Sequence, residues 1–305
     1  MNILLTGAAG QLGSELLPML STRGNLIATD RHKPVAAGGN WLELDIGDGA
    51  RLEHLLNRLR PGLIINTAAY TAVDRAEDDR ETAFAINAEL PSRLATWAKR
   101  NEARLLHYST DYIFDGEMAR PYLETDTPNP QNVYGESKLA GERALADAAC
   151  SHVILRTSWV YSSHGKNFVL SMLDLARRGL ALKVVNDQQG CPTWARNLAR
   201  ASLAVIEAWP ATGSSGSDGV FHYRDDLSLS WYDFARAVFS RAVSAGLLER
   251  PPDLTPVPSS EFPQPAKRPA WSVLDTGRIS HIFAVQPASF ESSLRTVIDE
   301  INTRA

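Results

Sequence analysis

The chain has 305 residues, 44% of them hydrophobic and 22% charged, which suits one large globular domain or one with a smaller appendage. A net charge of −4 removes the electrostatic reason to expect nucleic acid or an anionic lipid surface as a partner. Cys150 and Cys191 are too few for a disulfide framework and lack metal-ligand spacing, no cationic leader precedes Ile3, and no run reaches the ~20 apolar residues of a membrane span, so a cytoplasmic protein with buried thiols is expected.

Ile3-Leu4-Leu5 reads as a first strand, followed by Thr6-Gly7-Ala8-Ala9-Gly10-Gln11-Leu12-Gly13 and a helical stripe through Leu16, Leu17 and Leu20. Leu26–Thr29 is a second strand ending at Asp30, and Trp41–Leu44 a third ending at Asp45. Leu52, Leu55, Leu56 and Leu59 form a helical stripe stopped by Pro61-Gly62, and Leu63–Asn66 is a fourth strand. One long helix is expected from about Arg80 to Arg100, then a fifth strand, Leu105–Tyr108. A helix from Tyr134 to Ala149 and a sixth strand, Val153–Arg156, close the series. Strands alternating with helices of this length predict an α/β fold of the Rossmann type, a doubly wound parallel sheet.

Beyond residue 160 the texture changes. Helical stretches at 167–178, 194–208 and 230–245 are spaced by strand candidates Leu182–Val185 and Val220–Tyr223, and a Gly/Ser-rich loop spans Gly213–Gly219. Pro251 to Pro269 holds seven prolines and reads as an extended connection. The expected organisation is a dinucleotide-binding core over 1–160 and a smaller, mainly substrate-binding C-terminal lobe over 161–305, with some segments returning to the core.

Gly7-x-x-Gly10-x-x-Gly13 stands between strand and helix, where a dinucleotide fold places its phosphate turn. Glycines let the backbone approach a pyrophosphate, and the helix start offers free N–H groups. Asp30, 17 residues after Gly13, falls where a carboxylate grips the adenosine ribose. Arg31, His32 and Lys33 follow directly, and adjacent cations welcome a 2′-phosphate, so NADH against NADPH stays open; the same three residues equally make a solvated loop. Asn66–Thr71 ends the fourth strand on the sheet's carboxyl edge, where small residues let a nicotinamide ribose pass. Ser109-Thr110-Asp111-Tyr112 ends the fifth on the same edge, where a Thr110 hydroxyl suits a substrate carbonyl or a phenol; a turn-forming cluster is the plainer reading. Tyr134 and Lys138 are four apart, hence on one helix face, and a nearby cation favours a phenolate, so the pair suits proton transfer to a substrate oxygen. Trp159 suits stacking on a ring or base, or ordinary core packing. There is no Gly-x-Ser-x-Gly elbow, His-Glu-x-x-His helix or Walker loop.

The glycine turn with a later Tyr-x-x-x-Lys resembles the extended short-chain dehydrogenase/reductase superfamily. Ala68–Glu77, Ser109–Gly116, Tyr134–Glu142, Arg156–Tyr161, Asn186–Thr193 and Ala266–Pro269 are similar to the dTDP-4-dehydrorhamnose reductase family within it. The resemblance implies NADH- or NADPH-dependent reduction of the C4 ketone of dTDP-4-dehydro-L-rhamnose to dTDP-L-rhamnose. It implies Tyr134 as proton donor, Lys138 as the group that lowers its pKa and holds the nicotinamide ribose, and Thr110 as tuner of the transfer. Thr110, Asp111 and Trp159 would contact the sugar nucleotide. Gly7, Gly10, Gln11, Leu12, Gly13, Asp30, Asp45, Ile46, Ala69, Tyr70 and Thr71, with Tyr134 and Lys138, would bind the cofactor. Several members are described as magnesium-dependent and dimeric; no carboxylate cluster here independently demands a metal, so magnesium and a homodimer rest on the resemblance alone. Two other readings keep the fold: another nucleotide-sugar epimerase or reductase, and a non-enzymatic regulatory binding subunit. The intact Thr110, Tyr134 and Lys138 speak against the latter.

Overall fold

The computed structural model describes residues 1–32, 40–209 and 216–304; Lys33 and the Gly213–Ser215 part of the Gly/Ser-rich loop lie outside them. Its centre is a seven-stranded sheet. Six strands come from the N-terminal half: β1 (Asn2–Thr6), β2 (Asn25–Asp30), β3 (Trp41–Glu43), β4 (Leu63–Asn66), β5 (Arg104–Thr110) and β6 (His152–Thr157). They run parallel in the order 3-2-1-4-5-6, and a seventh strand, Gly219–His222, pairs parallel with β6. The strand order reverses between β1 and β4, which opens a crevice at their carboxyl ends.

Alternation along the strands explains why both faces are covered. Ile3 and Leu5, Leu63 and Ile65, and Leu106 point into one core with Leu16 and Leu20 of helix α1 (Gln11–Leu20) and Leu198 and Val205 of the helix Ala195–Ala208. Leu4, Ile64, Leu105 and Ile154 point into the opposite core with Leu52, Leu55, Leu94 and Trp97. Burying each such aliphatic side chain contributes about 1.5–3 kcal/mol, so a strand buried on both faces needs near-continuous apolar sequence, as Leu63-Ile64-Ile65 shows.

Three differences from the sequence reading bear on the site. The segment expected to be one helix from Arg80 to Arg100 is Arg80–Phe84, a π-helical turn Ala85–Glu89 and the helix Leu90–Arg100. The strand candidate near residue 220 joins the central sheet. The proline-rich stretch contributes a short strand, Leu254–Val257, paired parallel with Leu182–Val185. A third apolar cluster, built on Tyr161, Leu173, Phe234 and Phe290, holds the C-terminal segments together. Among the described residues no helix is long and apolar enough to cross a membrane.

Candidate active site

The glycine turn lies where β1 meets α1. Gly7 adopts φ of 66°, and a Cβ there would come within 2.6 Å of the Ala68 backbone nitrogen, so the position requires glycine on two counts. Asp30 closes β2 beside it: one carboxylate oxygen accepts from Ala9 N at 3.0 Å, the other from Arg31 N at 2.7 Å. A cleft of about 600 Å³ opens here, lined by Gly7, Gly10, Asp30, Asp45, Ile46 and Ala69 among the expected residues. Arg31 also lines it, and so do Glu81, Thr82, Ala85 and Ile86, which the sequence reading did not single out. Gln11 instead holds a neighbouring segment, its amide bonding Lys166 O, Ser162 Oγ and Asn167 Nδ2. Leu12 packs on the core and Gly13 is buried under the turn.

Tyr70 and Thr71 follow β4. Asn87, from the π-helical turn, clamps Tyr70: its Oδ1 accepts from Tyr70 N at 2.9 Å, while Nδ2 donates to Tyr70 O and to Ser137 Oγ, each at 3.0 Å. A π-turn adds one residue to the helix, which turns Asn87 towards the site. No apolar periodicity signals that shift.

Tyr134 and Lys138 stand on the helix Val133–Ala148, capped by Asn132, whose Oδ1 accepts from Gly135 N at 2.8 Å. The helix lies tight on the turn after β5; a Cβ at Gly135 would run into the Tyr112 carbonyl. This brings the Tyr134 phenol to the Thr110 hydroxyl at the carboxyl end of β5. Burial pushes that phenol up to about 12; the Thr110 hydrogen bond opposes the rise and the Asp111 charge adds to it. Lys138 is almost fully buried, and its ammonium donates to the Tyr108 carbonyl at 2.5 Å. Burial pulls its pKa down to about 8, against the pull of Glu142. The expectation that Lys138 lowers the phenol meets a different arrangement: burial, Thr110 and Asp111 govern Tyr134, and the ammonium faces a backbone carbonyl. Asp111 accepts from Thr110 Oγ1 at 3.0 Å, and burial raises it to about 6.

Trp159, at φ of 46°, stacks on Trp231 at 3.5 Å with the rings 8° apart, so one of its faces is taken by the protein. Trp231 also walls a second cleft of about 330 Å³ with Phe168, Met172 and Phe262, at which Lys183 and Arg268 supply positive charge. Arg268 grips Asp74 with two bonds, 2.9 and 2.8 Å, and its charge lies near Tyr112, whose ring meets Tyr134 edge-on at 5.9 Å. Nothing in the local sequence around Arg268 shows that the proline-rich stretch returns to the active-site helix.

The described residues do not fit a magnesium centre. Among the described residues no group of three or more His, Cys, Asp or Glu side chains could hold a metal ion. Glu15 and Glu300 do converge, but on the guanidinium of Arg196, at 2.7 and 2.6 Å.

A family model, RmlD substrate binding domain, matches residues 1–303. The chain is 40% identical over 303 residues to the dTDP-4-dehydrorhamnose reductase of Escherichia coli K12, covering 99% of each. A crystal structure of a dTDP-4-dehydrorhamnose reductase from Clostridium acetobutylicum superposes with a TM-score of 0.87 at 37% identity, covering 99% of this chain and 100% of that one. One from Bacillus anthracis, solved in complex with NADP, gives 0.86 at 32%, covering 98% and 99%. The chain therefore belongs to the RmlD substrate binding domain family, and it is an oxidoreductase of the nicotinamide-dependent kind.

Proposed function

We propose that this protein reduces the C4 ketone of dTDP-4-dehydro-L-rhamnose to give dTDP-L-rhamnose. The observation that carries the reading is the buried Tyr134 phenol beside the Thr110 hydroxyl at the carboxyl end of β5, on the helix that also bears Lys138. The fit to a dinucleotide rests on the glycine cradle at Gly7, the N–H groups opening α1 and the Asp30 carboxylate. NADH or NADPH bound along this cleft supplies the hydride. Arg31 on the cleft wall suits a 2′-phosphate and Asp30 a free ribose hydroxyl, so either cofactor is accommodated.

The chain's own residues do the rest. As charge builds on the C4 oxygen, Tyr134 gives up its proton; a phenol held near 12 stays protonated at neutral pH and is a strong enough acid for a forming alkoxide. The Thr110 hydroxyl, itself held by Asp111 and the Tyr112 N–H, stands beside the phenol, and Lys138 places positive charge on the same helix face. Trp231, Phe168 and Phe262 offer flat apolar walls for a pyrimidine, with Lys183 and Arg268 for the diphosphate. The division of labour follows: residues 1–160 mainly hold the cofactor and 161–305 mainly the sugar nucleotide. The free thiols of Cys150 and Cys191 agree with a reducing, cytoplasmic setting.

Loss of reduced-nicotinamide absorbance on adding the dTDP-ketosugar, run with NADH and with NADPH, tests the proposal directly. Turnover with GDP-linked but not dTDP-linked substrate would overturn it.

A further inference from the structure

Tyr134, Lys138 and Glu142 follow one another at four-residue spacing and so share one face of the helix Val133–Ala148. Lys138 and Glu142 are 2% and 5% exposed. Arg156 of β6, 4% exposed, meets the Glu142 carboxylate with two parallel bonds, Nε to Oε1 at 2.9 Å and Nη2 to Oε2 at 2.6 Å. The guanidinium is itself fixed, over the Phe114 ring at 5.4 Å and with Nη1 3.4 Å from His222 Nε2. Removing two charges from water is costly enough that apolar residues of equal volume often stabilise a core better. A buried ion pair one turn from Lys138 and two from Tyr134 therefore asks for a role beyond stability.

We infer that Glu142, clamped by Arg156, is a positioning residue for Lys138: a fixed buried carboxylate that keeps the ammonium charged and aligned beneath Tyr134. The inference rests on the reading of Tyr134 and Lys138 as the working pair. The surroundings of Lys138 support it. On β5 the imidazole of His107 is buried and held neutral by burial and by the Lys138 charge, so it supplies no counter-charge. Asp111 sits at the Tyr134 end, bonded to Thr110. On the helical segments packed alongside, Arg80 is paired with Glu136, Asp79 with the Tyr70 phenol and Asp74 with Arg268. Glu142 is the group that opposes the fall of the Lys138 pKa under burial. Its two hydrogen bonds to Arg156 hold the carboxylate in place.

The test is a pH titration of the Lys138 ε-carbon resonance in lysine-labelled protein, assigned by its loss in Lys138→Met. Glu142→Gln keeps the shape and a bond to Arg156, and should lower the Lys138 midpoint by roughly one pH unit or more. Glu142→Gln/Arg156→Gln removes the orphaned cation and should show the same fall, while Glu142→Asp should restore most of it. The alkaline limb of kcat/KM should move with the midpoint. Unmoved midpoints in both the single and the double variant, with only a lower Tm, would overturn the inference and leave the pair a structural one. Absence of turnover in the parent protein would instead defeat the functional reading, and the resonance would still decide the role of Glu142.

Discussion

Tyr134 and Lys138 titrate on opposite sides of what their types suggest. Burial favours the neutral form of each, so the phenol keeps its proton to about 12 while the ammonium loses its own near 8. A phenol in that state is a proton reservoir at any working pH, and the side chain whose charge changes is the lysine. Activity should therefore fall as pH rises through about 8, because a base with a depressed pKa is charged only below it; a kcat/KM profile flat to about pH 10 would contradict this. Tyr134→Phe should still bind reduced cofactor, read by fluorescence titration, yet lose about 10²–10⁴-fold in kcat, the usual worth of a positioned acid. Four-residue spacing already placed Tyr134 and Lys138 on one face. What it left hidden was the direction of each shift, since burial depends on Thr110, Asp111 and the strands beneath, distant in the chain.

At the level of elements, the helix Val133–Ala148 and the π-turn Ala85–Glu89 hold the site between them. The helix was expected over Tyr134–Ala149 and runs Val133–Ala148, with the Asn132 cap visible only in the structure. The π-turn was not legible, because one inserted residue leaves the spacing of Leu90, Leu94 and Trp97 helical on its far side. Asn87→Leu should leave the Tyr70 backbone groups and Ser137 without their partner, costing about 1–3 kcal/mol of stability. Since Tyr70 sits directly after the cleft residues Thr67–Ala69, cofactor Kd should rise more than kcat falls. Equal loss in both would argue that Asn87 serves folding alone.

The whole molecule is tied by polar contacts that span the chain. Arg268 reaches back to Asp74, and Arg196 joins Glu15 of α1 to Glu300 of the C-terminal helix Phe290–Arg304. Asp225 is fully buried, accepts from Trp194 N and Asn197 Nδ2 at 3.1 Å, and is raised by burial to about 7. The native state thus holds a proton between about pH 4 and 7 that the unfolded chain has released; the stability this group contributes is full below that window and lost as pH rises through it. Asp225→Asn should then gain Tm relative to the parent on going from about pH 5 to about pH 8, and a constant difference across that range would rule the linkage out.

Sequence alone determined the parallel sheet, the glycine turn and the strand ends that carry Asp30, Ala69 and Thr110, because these follow from local periodicity and from backbone conformations few residues can adopt. The tertiary structure alone decided that residues 219–222 complete the sheet, that Arg156 closes on Glu142 and that Arg268 returns to Asp74. Those are encounters between segments remote in the chain, selected by burial and charge pairing in three dimensions, and no one-dimensional pattern records them.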